Sequence, residues 1–463
     1  MNPPLLVQQL LGFGAYALAL ILLAGKAFSW DEDRRLYYLG GRRLSLWSSI
    51  ATFCATWMSG ASVLGYTMLL YREGYLAFTG SVNGWLMGLL PLVFVVGRLR
   101  KSRALSMPQW LSETYGDARL RRLSALALLA AYTLYLVIQF RVFGAVVAHL
   151  LDIDYPVASL LVYLFVIYTT FGGLPSVVRS DALNLVVIVV GVSAAALAVS
   201  ASAGDPLTLH RKLAAADPAV MATLSPRGAL FTLTMMTGWA LGVASNPQYA
   251  VRILSAESPR TAWLMLALSP FILGWIYGCL TVIGLGGRLL LPLLPPVNQE
   301  MGFAVLTSSI LGPLPTVLLF LAVLAAAVST ANSQLLLAAC SFCYDLRGKG
   351  RRREGAIEED RFLLGNRLAV AVIASAALVL SLLPLPAILD LGQHSWAVVA
   401  LCFFLPLYGP SSWRRKGLFE ALTVALIFHG LLVFGLGLRP EMALIPALFV
   451  EALCWIVEGT SPS

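Results

Sequence analysis

Long apolar runs of about 20 residues, separated by short polar stretches, follow one another along almost the whole chain. Because roughly 20 apolar residues in a helix suffice to cross a bilayer, the pattern predicts an all-α, polytopic membrane protein with about 13 transmembrane helices. The predicted spans are 5–25, 46–71, 77–98, 123–150, 154–173, 183–203, 229–250, 261–285, 305–338, 365–385, 388–409, 417–436 and 441–457. The polar stretches are too short for separate soluble domains, so residues 1–463 are predicted to form a single membrane transport domain.

Composition and charge agree with this prediction and add an orientation. The chain is 59% hydrophobic and 12% charged, which excludes an ordinary soluble domain. The loops after odd-numbered spans hold 25 of the 32 Lys and Arg residues, Arg252 among them; six lie on the other side and Arg141 lies within a span. Because basic loops stay cytoplasmic, we predict a cell (inner) membrane protein with its N-terminus outside and its C-terminus inside. Cytoplasmic loops beside anionic lipid explain the net charge of +9, and no nucleic-acid partner is needed.

The ninth predicted span contains a run of small hydroxyl and amide side chains, from Ala325 to Gln334. A lipid-embedded helix tolerates such groups mainly where they face a protein-lined cavity. Ala326, Ser329 and Thr330 stand at i, i+3 and i+4, so they share one helix face. The run therefore indicates an ion or solute path.

Two other spans are interrupted halfway across. Span two is diluted by small and polar residues at 55–62, and span seven contains Pro247, which removes a backbone donor. Interrupted helices five spans apart are what two inverted repeats of five helices would show, with binding at the midplane between them. The alternative is that Gly and Pro are common in membrane helices anyway.

A broken helix beside this polar run has the chemistry of a sodium site. Freed backbone carbonyls together with hydroxyls can replace the hydration shell of Na⁺ without a carboxylate. We predict that the hydroxyls of Ser329 and Thr330 meet the carbonyls of Ala55 and Met58, with Ala326 on the same face. The alternative is that these hydroxyls bond the carbonyl four residues back in their own helix.

An acidic residue, Asp181, lies near the start of the sixth predicted span. It is either a group that guides or binds a cation or a solvated N-cap, a position that Asp favours.

Taken in order, these motifs resemble the sodium/solute symporter family, which includes bacterial transporters for proline, pantothenate and sialic acid. The matching pieces are Tyr38–Arg42, Tyr168–Gly173 with Asp181, Gly238–Arg252, and Ala325–Gln334. The resemblance implies a leucine-transporter-type fold with a 5+5 inverted repeat. Its predicted parts are an extra N-terminal helix at 1–30, a first repeat at 46–204, an inverted second repeat at 229–409 and two C-terminal helices at 417–458.

The resemblance also implies ion ligands, with Na⁺ as the only cofactor. Sodium would be held by Ala55, Met58, Ala326, Ser329 and Thr330, and a possible second site would use Asp181, Asn332 and Ser333. Trp57 occupies a position that is acidic or amide in several members, so the solute pocket is expected to be unusual.

The solute is expected between the broken helices and the eleventh span, where polar and aromatic side chains interrupt apolar sequence. Arg141 could pair with a carboxylate of the solute, or it could extend to the outer interface. Each tryptophan could instead be a packing residue or an interfacial anchor. His394 could be hydrogen-bonded to a neighbouring protein group and take no part in binding. The candidates are Trp57, Ser59, Gln139, Arg141, Trp239, Asn246, Gln393, His394 and Ser395.

These features predict a sodium-coupled secondary active symporter that imports a small organic solute, with an organic anion or amino acid favoured, by alternating access. The alternatives are a proton-coupled or uncoupled carrier, or a solute sensor, of the same fold. An enzyme is not expected, because neither HExxH nor GxSxG occurs. Membrane lipid is the expected surrounding, and the sequence does not predict the oligomeric state.

Overall fold

The computed structural model describes residues 3–26, 33–294, 299–347, 356–384, 388–409 and 417–460, and these residues are helical almost throughout. Within those ranges no strand occurs, and a single β-bridge pairs Leu44 with Ala256. The all-α prediction is therefore confirmed.

The helices of the first half begin with α1 (Pro3–Gly25). They continue with α2 (Arg34–Leu39), α3 (Leu46–Trp57), α4 (Tyr66–Glu73), α5 (Tyr75–Ala77), α6 (Asn83–Lys101), α7 (Met107–Tyr115), α8 (Ala118–Leu151), α9 (Tyr155–Phe171), α10 (Gly173–Ala203) and α11 (Pro206–Ala216). Single π-helical turns at Ala61–Gly65 and Phe78–Val82 precede α4 and α6, and 3₁₀ turns lie at Gly40–Arg42 and Pro218–Met221.

The second half begins with α12 (Ala229–Ser245). It continues with α13 (Pro247–Ser255), α14 (Pro259–Leu290), α15 (Gln299–Ile310), α16 (Pro313–Cys340), α17 (Ala356–Ser381), α18 (Ile388–Tyr408), α19 (Leu418–Gly430) and α20 (Pro440–Thr460). π-Helical turns extend α16 at Ser341–Leu346 and α19 at Leu431–Gly435.

Every predicted span has a helical counterpart, although not all are long enough to count independently as spans. Among the described residues, ten helices are long and apolar enough to cross a membrane, or eleven when the bent pair of α3 and α4 is taken as one span. The other two counterparts, α9 and α12, have 17 residues each. The predicted number of 13 is thus approximate.

One boundary was placed wrongly and changes the interpretation of Asp181. The helix predicted to begin at 183 begins at Gly173, so Asp181 lies more than two turns inside α10 and its side chain is fully buried. The N-cap alternative for Asp181 is therefore wrong.

Helix α16 is at the centre of the molecule. In an apolar stretch of 18 residues, 83% of this span is buried, whereas the value for the span of α1 is 28%. Helix α16 packs against α3, α8, α9 and α10. A glycine allows its closest contact with α10: a Cβ at Gly191 would overlap the carbonyl oxygen of Leu318. The polar run predicted to face protein therefore does so.

Both predicted interruptions are breaks in the helical backbone. The segments on either side of the first break are bent by 56°, and Met58 between them is extended (φ −78°, ψ 100°). The second break is at Asn246 (φ −73°, ψ 119°), because the following Pro247 lacks an N–H and disfavours helix at the residue before it. The breaks fall in the first helix of each predicted repeat, whereas the repeat boundaries themselves stay a prediction.

Candidate cation and solute site

The hydroxyl face of α16 meets the first break. Helix α3 ends at Trp57, so its last carbonyls have no partner in their own helix. Ser329 Oγ donates to the carbonyl of Ala55 at 2.6 Å, and Thr330 Oγ1 lies 3.1 Å from the carbonyl oxygen of Thr56 and 3.3 Å from that of Met58. These groups are buried, so α16 supplies the polar partners that the broken helix lacks.

Bonding within α16 accounts for only part of this polar face. Ser329 Oγ also lies 3.1 Å from the carbonyl oxygen of Ala326, three residues back, and Ser333 Oγ donates to the carbonyl of Ser329 at 3.0 Å. The Thr330 hydroxyl, in contrast, contacts two carbonyls of the broken helix. The structure thus places Ser329 against the carbonyls of Ala55 and Ala326, and Thr330, the next residue of α16, against that of Met58.

The spacing of these oxygens suits a hard cation after a small expansion. Oxygens held about 2.4 Å from such a cation in an octahedral shell are separated by about 3.4 Å. The oxygen pairs described above are 2.6 to 3.3 Å apart. If these oxygen–oxygen distances grew by a few tenths of an ångström and the two O–H bonds rotated away from the cation, the hydrogen-bonded oxygens could become its ligands.

A second buried polar network lies beside this cluster and contains a charge pair. Asp181 Oδ2 accepts a hydrogen bond from Thr52 at 2.6 Å and lies 3.7 Å from Arg252 Nη2. The same nitrogen donates to Thr56 at 2.8 Å and to Ser333 at 2.5 Å. Asp181 and Arg252 are both essentially inaccessible to solvent.

The prediction that Arg252 is a basic residue of a cytoplasmic loop is therefore wrong. It lies in α13, and all nine residues of that helix are buried. A charge five residues after the span-breaking Pro247 was the signal in the sequence that could have identified it.

Only part of the predicted second ion set is brought together. The guanidinium of Arg252 contacts Ser333 and faces Asp181, so it occupies the position that a cation would need. Asn332 Oδ1 instead accepts from Thr169 of α9 at 2.7 Å. Asp181 and Ser333 thus share Arg252 as a partner, whereas Asn332 has different partners.

A small cavity next to both breaks is lined largely by aromatic rings, and it contains Trp57 and Trp239 of the predicted solute residues. Its volume is about 10 Å³, about the minimum for one water molecule. Sequence reasoning missed most of this aromatic box, because its rings come from seven different helices and follow no local pattern. The rings belong to Trp57, Trp85, Tyr135, Trp239, Tyr249, Tyr277 and Trp396, and Ala61, Ser62, Leu389 and Gly392 complete the lining.

Three further predicted solute residues hold the breaks in place. Gln139 Oε1 accepts from the backbone N–H of Gly60 at 3.0 Å, and Ser59 Oγ accepts from that of Ser62 at 3.1 Å. Asn246 Oδ1 accepts from the hydroxyl of Tyr132 at 2.7 Å and from the N–H of Gln248 at 3.1 Å. The amide nitrogens of Gln139 and Asn246 are buried, and neither has an acceptor within the described ranges.

The remaining solute candidates lie elsewhere. Arg141 lines a separate cavity of about 700 Å³. His394 stacks on Phe434 with ring centroids 5.9 Å apart, and Ser395 contacts the carbonyl of Leu391 in its own helix. The structure does not place these three residues in the aromatic box, because a helix presents successive residues to different neighbours.

Gln393 lines a wider cavity above the box, which we call the vestibule. It has a volume of about 370 Å³ and lies among the loops that the charge bias assigns to the outside. Trp239 and Leu389 line both the vestibule and the box, so they separate the two. The charged residues of the vestibule are Arg72, Glu73, Arg227, Asp390 and Arg439.

Known proteins resemble this chain over nearly its whole length. A family model described as the sodium:solute symporter family matches residues 37–415. An osmoregulated proline transporter of Bacillus subtilis is 24% identical over 91% of this chain and 87% of its own length. A sodium/proline symporter of Haemophilus influenzae is 26% identical, with coverage of 90% and 86%.

Solved structures extend this likeness to the fold. A Na⁺-coupled sialic acid symporter, solved in a substrate-bound outward-open state, superposes with a TM-score of 0.78 at 15% identity and covers 99% of this chain and 97% of its own. A nucleobase-cation-symport-1 family transporter in a closed conformation gives a TM-score of 0.60 at 15% identity, with coverage of 91% and 93%. Both are transporters of the leucine-transporter type, so that part of the fold prediction is confirmed.

Proposed function

The chain belongs to the sodium:solute symporter family, and from this premise we propose that it imports a small organic solute together with sodium by alternating access. Membership makes it a multi-pass membrane transporter and not an enzyme. Sodium is then a cotransported ion, not a resident cofactor. The proposed location is the cell (inner) membrane, with the N-terminus outside.

One observation carries the proposal: the contact of Ser329 and Thr330 with the carbonyls of the first break. Sodium would be held there by the carbonyls of Ala55, Met58 and Ala326 and the two hydroxyls. Because two of these five ligands belong to the broken helix and three to α16, an ion would tie the two elements together. Its gradient could then drive their rearrangement.

We leave the predicted second site out of the proposal. A cation beside Asp181 and Ser333 would have to compete with the buried guanidinium of Arg252, which contacts both. Bringing two positive charges close together in a buried site is costly.

Among solutes we propose an amino-acid-like zwitterion over a simple organic anion. The anion was favoured because of Arg141, yet Arg141 lines a cavity separate from the aromatic box. A zwitterion needs no full positive charge from the protein, and its carboxylate could accept from the unpaired amide nitrogens of Gln139 or Asn246 at the breaks. The proline-transporting relatives make proline the natural first test.

Uptake of radiolabelled proline into proteoliposomes tests the proposal. An inward sodium gradient should produce transient accumulation, whereas an equal potassium gradient should not. Vesicles without protein give the background. A proton gradient imposed in the absence of sodium tests the alternative coupling ion.

Accumulation driven by protons without sodium would overturn sodium coupling. If proline is not taken up, sodium-dependent thermal stabilisation of the purified protein still reports on the ion site. Absence of a sodium-specific shift relative to potassium would then refute the proposal.

A further inference from the structure

We propose that the aromatic box binds the cationic head group of a small N-alkylated ammonium solute, with a quaternary nitrogen as the best fit and a hydrogen-bond acceptor elsewhere on the molecule. The inference rests on the proposed function, because it names the solute class of the same transporter. It depends on the rings, charges and unpaired donors that line one cavity.

The rings of the box present aromatic faces in several directions. Trp239 is nearly perpendicular to Trp85, at an interplanar angle of 88°, and makes an angle of 76° with Trp396; both pairs have centroids 5.5 Å apart. On another side, Trp57 and Tyr249 lie only 4.8 Å apart at 32°. The rings therefore pack against one another in different orientations, and a compact group that entered the box would meet several of them.

No acidic, basic or histidine side chain is among the residues that line the box. A carboxylate or phosphate placed there would be desolvated without a cationic partner. An ammonium group, in contrast, is attracted by the electron-rich face of an indole or phenol, and tryptophan provides the strongest such attraction. The lining thus favours a positive head group over a negative one.

The hydrogen-bonding capacity of the box favours N-alkylation. A primary ammonium has three N–H donors that need acceptors when buried. The few hydroxyls of the box already contact protein groups: Tyr277 accepts from Trp57 Nε1 at 3.1 Å, Tyr135 donates to Ser59 at 3.3 Å, and Ser62 contacts Ser59 at 3.2 Å. A primary ammonium would have to share these oxygens to satisfy three donors at once. A quaternary nitrogen has no N–H group, so it leaves no donor unsatisfied.

An unpaired donor indicates the other end of the solute. The indole Nε1 of Trp85 is buried and has no acceptor among the described residues, and Trp85 is only 5% exposed. A carboxylate or hydroxyl oxygen close to the ammonium group would satisfy it. Both a betaine-type zwitterion and a hydroxylated quaternary cation have this chemistry.

Access to the box requires its partition to open. At about 10 Å³ the cavity is too small for a trimethylammonium group, and Trp239 and Leu389 separate it from the vestibule. Rotation of these side chains or rearrangement of the broken helices would enlarge it.

Binding to the purified full-length protein tests the inference. Isothermal titration in sodium chloride would compare trimethylglycine, choline, proline and 3,3-dimethylbutan-1-ol, in which a neutral carbon replaces the choline nitrogen. Potassium balances the ionic strength in all experiments, because choline as an inert ion would occupy the proposed site. We expect at least one quaternary compound to bind at least tenfold more tightly than the neutral isostere.

If neither choline nor trimethylglycine binds more tightly than the neutral isostere, the inference is overturned, since the box would then recognise apolar shape alone. Binding of proline without either quaternary compound would overturn it and leave the transport proposal intact. Failure of all four compounds to bind, with a sodium-specific thermal shift still present, would have the same meaning.

Ring variants provide a second readout. Trp57→Leu and Trp239→Leu should each weaken binding of the quaternary compound by tenfold or more, with Trp→Phe at the same positions intermediate because the smaller ring attracts a cation less. Trp263→Leu is the matched control, because Trp263 is 53% exposed and outside the box. Retained sodium-dependent stabilisation shows that a variant is folded. Unchanged affinity in both folded Leu variants would refute the proposal.

Discussion

Removing single oxygens from the face of α16 should weaken sodium binding by an amount that the contacts define. Ser329→Ala and Thr330→Val each delete one of five proposed ligand oxygens without adding bulk. A polar contact to a charged group contributes about 1.5 to 3 kcal/mol, which corresponds to a roughly 10- to 150-fold loss of affinity. Each variant also leaves a carbonyl of the first break unpaired, so the baseline stability in potassium should fall as well.

The sodium dependence separates these two effects. The unfolding midpoint of purified protein is measured against sodium concentration at constant ionic strength with potassium, and the midpoint of that titration reports affinity whatever the baseline. Thr316→Val is the matched control, because Thr316 is buried in the same helix and its hydroxyl donates to the carbonyl of Gly312, away from the first break. If Ser329→Ala and Thr330→Val titrate like Thr316→Val, the oxygens we name do not bind sodium.

Two further predictions concern the packing and the charge pair around the site. Gly191→Ala should lower the unfolding midpoint, at a cost of about 1 to 3 kcal/mol, because its Cβ would overlap the carbonyl of Leu318. Gly97→Ala is the control and should not lower the midpoint, because the space around Gly97 is open. Equal midpoints for the two variants would contradict the close contact of α10 and α16. Asp181→Asn should destabilise by about 3 to 5 kcal/mol because Arg252 is left buried without its carboxylate. Adding Arg252→Gln should recover part of that loss in a denaturation-based double-mutant cycle, whereas strictly additive losses would show that the two groups do not interact.

The fold and the contacts at the proposed ion site could be predicted because each has a signal local to the chain. Spans follow from runs of apolar residues, and Pro247 marks the second break by its chemistry alone. Ser329 and Thr330 share a helix face by spacing, and the cost of hydroxyls in lipid required a polar partner. Residues that follow helical periodicity could therefore be assigned to a site before the helices were packed.

Most of the aromatic box could not be predicted in this way, because its rings come from seven helices and meet only through packing. Tyr249 and Trp85 have no feature that separates them from other buried aromatic residues, yet both line the box. Arg141 and His394 were attractive for their chemistry, and only the rotation of their helices places them elsewhere. Arg252 was assigned to a loop and not to the site, because it lies at the end of an interrupted span.

Trp239 and Leu389 line both the vestibule and the box, so their side chains belong to the barrier between the two cavities. Side chains in such a barrier can move by rotamer changes without the helix rearrangements, which take microseconds to milliseconds. Capture of the solute and its passage across the bilayer would then occur on different timescales. A bulkier or stiffer residue at position 389 would slow entry of the solute into the box without changing the rate of the later helix rearrangement.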